Sequence, residues 1–139
     1  MTPISGGCFC GKLRYEASVD ESRIIICHCR DCQLFSGSAY RLSAWAEPGA
    51  FEVTRGTPRQ LDKTADSGKT RRMLYCGDCG SHLCSMPGDA SEEGAFVSIR
   101  LATADTFHSF EPVAEIYTAS RVPWLEDMPG IASFEGMPG

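Results

Sequence analysis

The chain has 139 residues, a net charge of −5 and 42% hydrophobic residues. That length and apolar content suit one modestly cored globular unit, so a single domain over residues 1–139 is expected. The acidic excess argues against a broad nucleic-acid footprint, which needs a basic patch. Only the local stretch of Lys69, Arg71 and Arg72 escapes that objection. No apolar run is long enough to cross a bilayer, and residues 1–7 lack the basic and apolar regions of a secretory signal. A cytoplasmic location follows as an expectation, and there eight cysteines serve metal or redox chemistry rather than structural disulfides.

Short apolar stretches, many alternating and bounded by Gly, Pro, Asp or Ser, read as strands. In chain order they fall at residues 13–17, at 24–26 running into Cys27, and at 40–44, where Tyr40, Leu42 and Ala44 alternate with Arg41 and Ser43. Further strands are expected around Phe51 and Val53, at 72–75 leading to Cys76, at 83–86 and at 115–118. Residues 96–101 place Val97, Ile99 and Leu101 on one face and Ser98 and Arg100 on the other. Arg30–Ser36 is the best helix candidate, at most a short turn. Residues 62–69, charged and without periodicity, read as an exposed loop. The Pro/Gly-rich tail at 125–139 reads as irregular. The result is a mostly-β fold in which strand ends deliver cysteines into tight turns.

Seven of the cysteines fall into three tight groups. Cys76-Gly77-Asp78-Cys79-Gly80 has the composition of a zinc knuckle, and Cys8-Phe9-Cys10-Gly11 can supply the other half of a four-thiolate site. Joining Cys10 to Cys76 would tie the first strand to a distant hairpin. The competing reading, reduced cysteines packed in a core, gives no reason for the CxC and CxxC spacings. Cys27, Cys29 and Cys32 crowd three thiols into six residues, a ligand number that leaves zinc one open position. His28, His82 or Cys84 could close that position, and Cys84 otherwise reads as a strand cysteine facing the interior. A CxxC dithiol at Cys29 and Cys32 is the redox alternative, weakened by the third thiol and the missing βαβ pattern. A thiol entering a three-thiolate zinc site would be ionised, whereas a free thiol is only about 3% thiolate at neutral pH. Ionisation alone is a modest gain, so positioning of the reactants must supply more.

Gly6-Gly7-Cys8-Phe9-Cys10-Gly11, Arg14-Tyr15, Cys27-His28-Cys29-Arg30-Asp31-Cys32-Gln33 and Cys76-Gly77-Asp78-Cys79-Gly80-Ser81-His82-Leu83 together resemble the glutathione-dependent formaldehyde-activating enzymes, a family that includes centromere protein V. Ile116-Tyr117, Ser120-Arg121 and Pro123-Trp124 are similar to its C-terminal pattern, so the resemblance runs over residues 6–124. It implies a tent-like arrangement of antiparallel sheets and two zinc ions per chain. Cys8, Cys10, Cys76 and Cys79 would hold the structural ion, and Cys27, Cys29 and Cys32 the catalytic one. It also implies a carbon–sulfur lyase activity joining glutathione, as co-substrate, to formaldehyde. The expected partners are therefore a small thiol and an aldehyde. Arg30, Arg41, Arg71, Arg72, Arg100 and Arg121 are unranked candidates for glutathione's carboxylates, and Tyr40, Trp45, Phe96 and Trp124 read as core or lid. The alternative is a non-catalytic zinc-binding module that carries glutathione or binds a protein partner.

Overall fold

The computed structural model describes residues 1–138. Three antiparallel strands, β1 (Thr2–Gly7), β2 (Arg14–Val19) and β5 (Phe51–Arg55), form a small sheet in the order β1-β2-β5. The large sheet contains β3 (Ile24–Cys27), β4 (Arg41–Ala46), β6 (Arg59–Thr64), β7 (Thr70–Tyr75), β8 (His82–Pro87), β9 (Val97–Arg100), β10 (Ala114–Ile116) and β11 (Ala132–Ser133). Its order is β11-β10-β3-β4-β9-β8-β7-β6, antiparallel except where β10 pairs with β3 and β11. The architecture is mostly β, with a parallel edge on an otherwise antiparallel sheet. The single α-helix, α1, spans Arg30–Ser36, the stretch expected from sequence, and ends at Gly37 in the left-handed region.

Strand alternation decides where each side chain goes. Tyr15, Ala17 and Val19 of β2 and Phe51 of β5 turn inward from the small sheet. They meet Ala44 and Ala46 of β4, Val97 and Ile99 of β9, and Leu83 and Cys84 of β8 in the main core. Cys84 is fully buried there, and burial pushes its thiol up to about 12. The intervening residues of these strands, Arg41, Ser43, Ser98 and Ser85, point to the opposite face yet are also buried. That second face of the large sheet is the floor of a cleft.

Four of these findings correct the sequence reading. Residues 62–69 are a loop only in part: 62–64 complete β6, which pairs along its full length with β7, and 65–69 form the turn between the two strands. Five of the six β6 residues are exposed, so no apolar alternation announces the strand. Thr2–Gly7 is likewise a strand that apolar patterning missed. The 125–139 tail is irregular over most of its described length, but Ala132–Ser133 adds β11 to the sheet edge; Gly139 lies outside the described residues. The basic stretch is no free patch, since Lys69 pairs with Glu92, Arg72 with Asp62, and Arg71 turns inward onto Ser85 and Phe96. No helix among the described residues is long and apolar enough to cross a membrane.

Glu115 of β10, 1% exposed, anchors the parallel edge. It accepts from His28 Nε2 at 2.8 Å, the Met128 amide at 3.1 Å, Arg121 at 3.3 Å and Ser133 Oγ at 3.3 Å. Burial raises this carboxyl, but His28, the Met128 amide and Arg121 outweigh it and hold it below the ordinary glutamate range. Glu115→Ala would strand the buried His28 and leave Arg121 with Asp127 alone, and it should cost about 3–5 kcal/mol. Chemical denaturation of the two proteins side by side measures that difference.

Candidate metal centres and their cleft

Two turns of matching construction bring four cysteines together. In the β1–β2 turn the Gly11 amide donates to Cys8 O and the Cys8 amide to Leu13 O. In the β7–β8 turn the Gly80 amide donates to Cys76 O and the Cys76 amide to Ser81 O. Gly11 and Gly80 both sit in the left-handed region, at φ 79° and 78°, which a residue with a Cβ adopts only at a cost. The turns face each other, joined by the Phe9 amide donating to Ser81 Oγ at 3.0 Å. Lys12 also reaches Asp78 at 3.0 Å, but both are exposed, so that pair adds little.

The sulfurs of Cys8, Cys10, Cys76 and Cys79 lie within 4.8 Å of one another. Cys8 to Cys10 is 3.6 Å and Cys10 to Cys76 is 3.7 Å. A tetrahedral ion with metal–sulfur bonds of about 2.3 Å needs sulfur–sulfur edges of roughly 3.8 Å. These residues therefore fit a zinc-sized thiophilic ion. The Ser81 hydroxyl and amide hold Cys79 down to about 5, toward the thiolate that a metal requires.

The second cluster is built from one continuous segment. β3 ends on Cys27; Cys29 caps α1, its sulfur accepting the Cys32 amide at 3.2 Å; Cys32 lies in the helix's first turn. The three sulfurs lie within 4.8 Å of one another, and no fourth His, Cys, Asp or Glu among the described residues joins them. Hydrogen bonds with Cys27 and Cys32 hold Cys29 far below the ordinary thiol range, while Cys27 is raised in return. A cation bound among the three sulfurs would favour the thiolate form of each. Gln33 fixes the helix by donating to Ala39 O at 3.2 Å and Ser120 O at 3.0 Å.

The fourth-ligand candidates are all engaged elsewhere. His28 turns to Glu115, and Cys84 faces the core. His82 stacks on Tyr75 and tilts against Phe35, with centroids at 5.6 and 5.3 Å. Burial first, then Arg41 and Arg100, push His82 down to about 4 from its usual 6.5. Between those two values the unfolded chain binds more protons, so acidification over that window destabilises the fold. His82→Gln should lose this component, giving a flatter pH dependence of the denaturation midpoint than wild type.

The three-cysteine cluster opens into a cleft of about 960 Å³. Its floor is the polar face of β4, β9, β8 and β7, and the β6–β7 hairpin forms one wall. Lys63 of that hairpin bonds Asp31 of α1 at 2.7 Å, holding the hairpin to the helix that carries Cys32. Trp45 and Phe96 pack at 4.6 Å, and the Arg71 guanidinium lies 4.5 Å over the Phe96 ring. Trp45 and Phe96 are thus cleft wall, whereas Trp124 is exposed. Tyr117 also lines the cleft and holds a left-handed backbone, φ 55°, that non-glycine residues seldom adopt. Of the arginines singled out by sequence, Arg41, Arg71, Arg72 and Arg100 line the cleft, whereas Arg121 is committed to Glu115 and Asp127. Ser43, Ser85 and Ser98 were missed as cleft residues. Their alternation with core positions was visible, but nothing in it shows a polar face to be buried.

Fold and clusters together define a mostly-β protein with two cysteine sites that could hold metal ions, one of four sulfurs and one of three. The chain belongs to the glutathione-dependent formaldehyde-activating enzyme family, whose model matches residues 3–120. An uncharacterized lyase of Schizosaccharomyces pombe is 26% identical over 84 residues, which is 60% of this chain and 57% of that protein. The match thus spans little more than half of that relative. A Rhodobacter sphaeroides protein of known crystal structure shares the fold, with a TM-score of 0.56, 14% identity and coverage of 94% of this chain and 98% of that one.

Proposed function

We propose that this chain is a zinc-dependent carbon–sulfur lyase that adds a small thiol, such as glutathione, to an aldehyde, such as formaldehyde, or runs the reverse. Cys8, Cys10, Cys76 and Cys79 would hold a structural zinc, and Cys27, Cys29 and Cys32 a catalytic one. The observation that carries this reading is the three-sulfur cluster without a fourth protein ligand among the described residues, opening on a roomy cleft. In the forward direction the thiol loses its proton, its sulfur bonds the carbonyl carbon, and the carbonyl oxygen gains a proton to become a hydroxyl. Zinc, when bound there, favours the ionised thiol and offsets negative charge developing on the carbonyl oxygen.

The chain's own residues supply position and surroundings. The packed Trp45 and Phe96 rings present an apolar wall that displaces water from one side of the cleft. The Lys63–Asp31 contact joins the β6–β7 hairpin to the helix that carries Cys32, and a thiol and an aldehyde entering the cleft together would be confined beside the sulfurs. Confinement of this kind is where most of the acceleration must arise. Family membership and the lyase name of the fission-yeast relative support the reaction class.

Elemental analysis should find two zinc ions per chain. Steady turnover of glutathione and formaldehyde should exceed the spontaneous reaction, and cobalt substitution should give a spectrum that changes when thiol is added. Saturable glutathione binding with no turnover would instead make the protein a carrier. A single zinc per chain in freshly reduced protein would remove the basis for the catalytic site.

A further inference from the structure

We propose that the cleft floor beside the three-cysteine cluster is a carboxylate-binding subsite formed by Arg41 and Arg100, with Arg71 supplying charge behind them. This rests on the three-cysteine cluster being the reacting end. It adds that one reactant presents a carboxylate to the floor beside the cluster, which formaldehyde cannot do.

The register fixes the neighbourhood. Arg41 of β4 stands directly opposite Cys27 of β3, and Ser43 of β4 stands opposite Arg100 of β9. Arg41 and Arg100 are therefore diagonal neighbours on one face, roughly 7–8 Å apart at the backbone and within reach of long side chains. Burial, then the nearby Arg41, push Arg100 down to about 9. Burial likewise lowers Arg41, while Cys32, Cys27 and Cys29 draw it back up, placing its charge beside the cluster.

None of Arg41, Arg71 and Arg100 pairs with a carboxylate among the described residues, although all three line the cleft. Arg71 is satisfied by Ser85 and the Phe96 carbonyl. The other two are not. Arg41 is 6% exposed, makes no side-chain hydrogen bond among the described residues, and leaves Nη2 buried without a partner. Arg100 Nη1 donates to Ser98 Oγ at 3.0 Å, but its Nε is buried and unpartnered. Buried guanidinium donors without acceptors are costly unless a ligand completes them. The acidic residues of the cleft do not fill that role: Asp31, Asp62 and Glu92 pair with Lys63, Arg72 and Lys69, and Asp66 and Asp89 are exposed.

The carboxylate can belong to the aldehyde, as in a 2-oxo acid, or to the thiol, as in glutathione. Calorimetric binding to zinc-loaded protein at low salt separates the two. One arm compares glyoxylate, the smallest aldehyde bearing a carboxylate, with its neutral amide; the other compares glutathione with its diethyl ester. The carboxylate member of at least one pair should bind on the order of tenfold tighter or more, and the pair that shows it names the source. The advantage should vanish in Arg41→Met and Arg100→Met. Equal binding within both pairs overturns the subsite, and that comparison needs no variant. Persistence of the advantage in both folded variants overturns it as well. Carboxylate preference that tracks the arginines without any turnover would sink the lyase reading and leave the subsite standing. Turnover without preference would do the opposite.

Discussion

Cys76→Ser is expected to leave little soluble, folded protein. Cys76 is buried where the β7–β8 turn meets the β1–β2 turn, and its sulfur lies 3.7 Å from that of Cys10, which is 66 residues away in the chain. The direct links among these turns are few and partly exposed: the Phe9–Ser81 hydrogen bond and the Lys12–Asp78 pair. Neither can replace a metal. A structural zinc contributes roughly 10–16 kcal/mol of apparent binding energy, against a net domain stability of about 5–15 kcal/mol. Losing one of four thiolates removes enough of that to unfold the small sheet from the large one. Soluble yield, circular dichroism and zinc content of the purified variant provide the check; a well-folded variant with full metal content would refute the staple.

Cys29→Ser should behave differently, keeping the fold while losing one equivalent of zinc and all thiol-dependent turnover. Cys29 is the cap of a seven-residue helix, and a serine oxygen can still accept the Cys32 amide. The helix is further held by Gln33 and by the Lys63–Asp31 contact, neither of which involves sulfur. The expected stability change is therefore small, on the order of 1 kcal/mol, while the metal site drops to two thiolates. Elemental analysis, thermal denaturation and a glutathione–formaldehyde assay on the same sample read all three quantities. Unchanged zinc and turnover would end the catalytic assignment.

The contrast between these substitutions follows from how each cluster is encoded. The three-cysteine segment is local, so its spacing alone disclosed both the sulfurs' proximity and the short helix at Arg30–Ser36. The four-cysteine site is non-local, and that its halves meet was suggested only by the knuckle composition of 76–80, the CxC pair at 8–10 and the family resemblance. Strands with one apolar face, such as Val97–Arg100, announced themselves through alternation. Residues Arg59–Thr64 did not, because an exposed edge strand needs no apolar face and is specified by its partner β7. The pairing of His28 with Glu115 was also hidden. Both are buried polar groups, 87 positions apart, whose compatibility depends on β10 entering the sheet parallel to β3. The same limit applies to Arg41 and Arg100. Alternation showed that they leave the apolar core, but solvent and an enclosed cleft are indistinguishable from one dimension.

Along β4, β8 and β9 one side of the large sheet packs the interior while its reverse side floors the cleft. Selection can therefore revise Ser43, Ser85 or Ser98 without disturbing their strand neighbours Ala44, Cys84 and Ile99. Descendants of such a scaffold can diverge in what they accept while inheriting the same sulfur framework and the same interior.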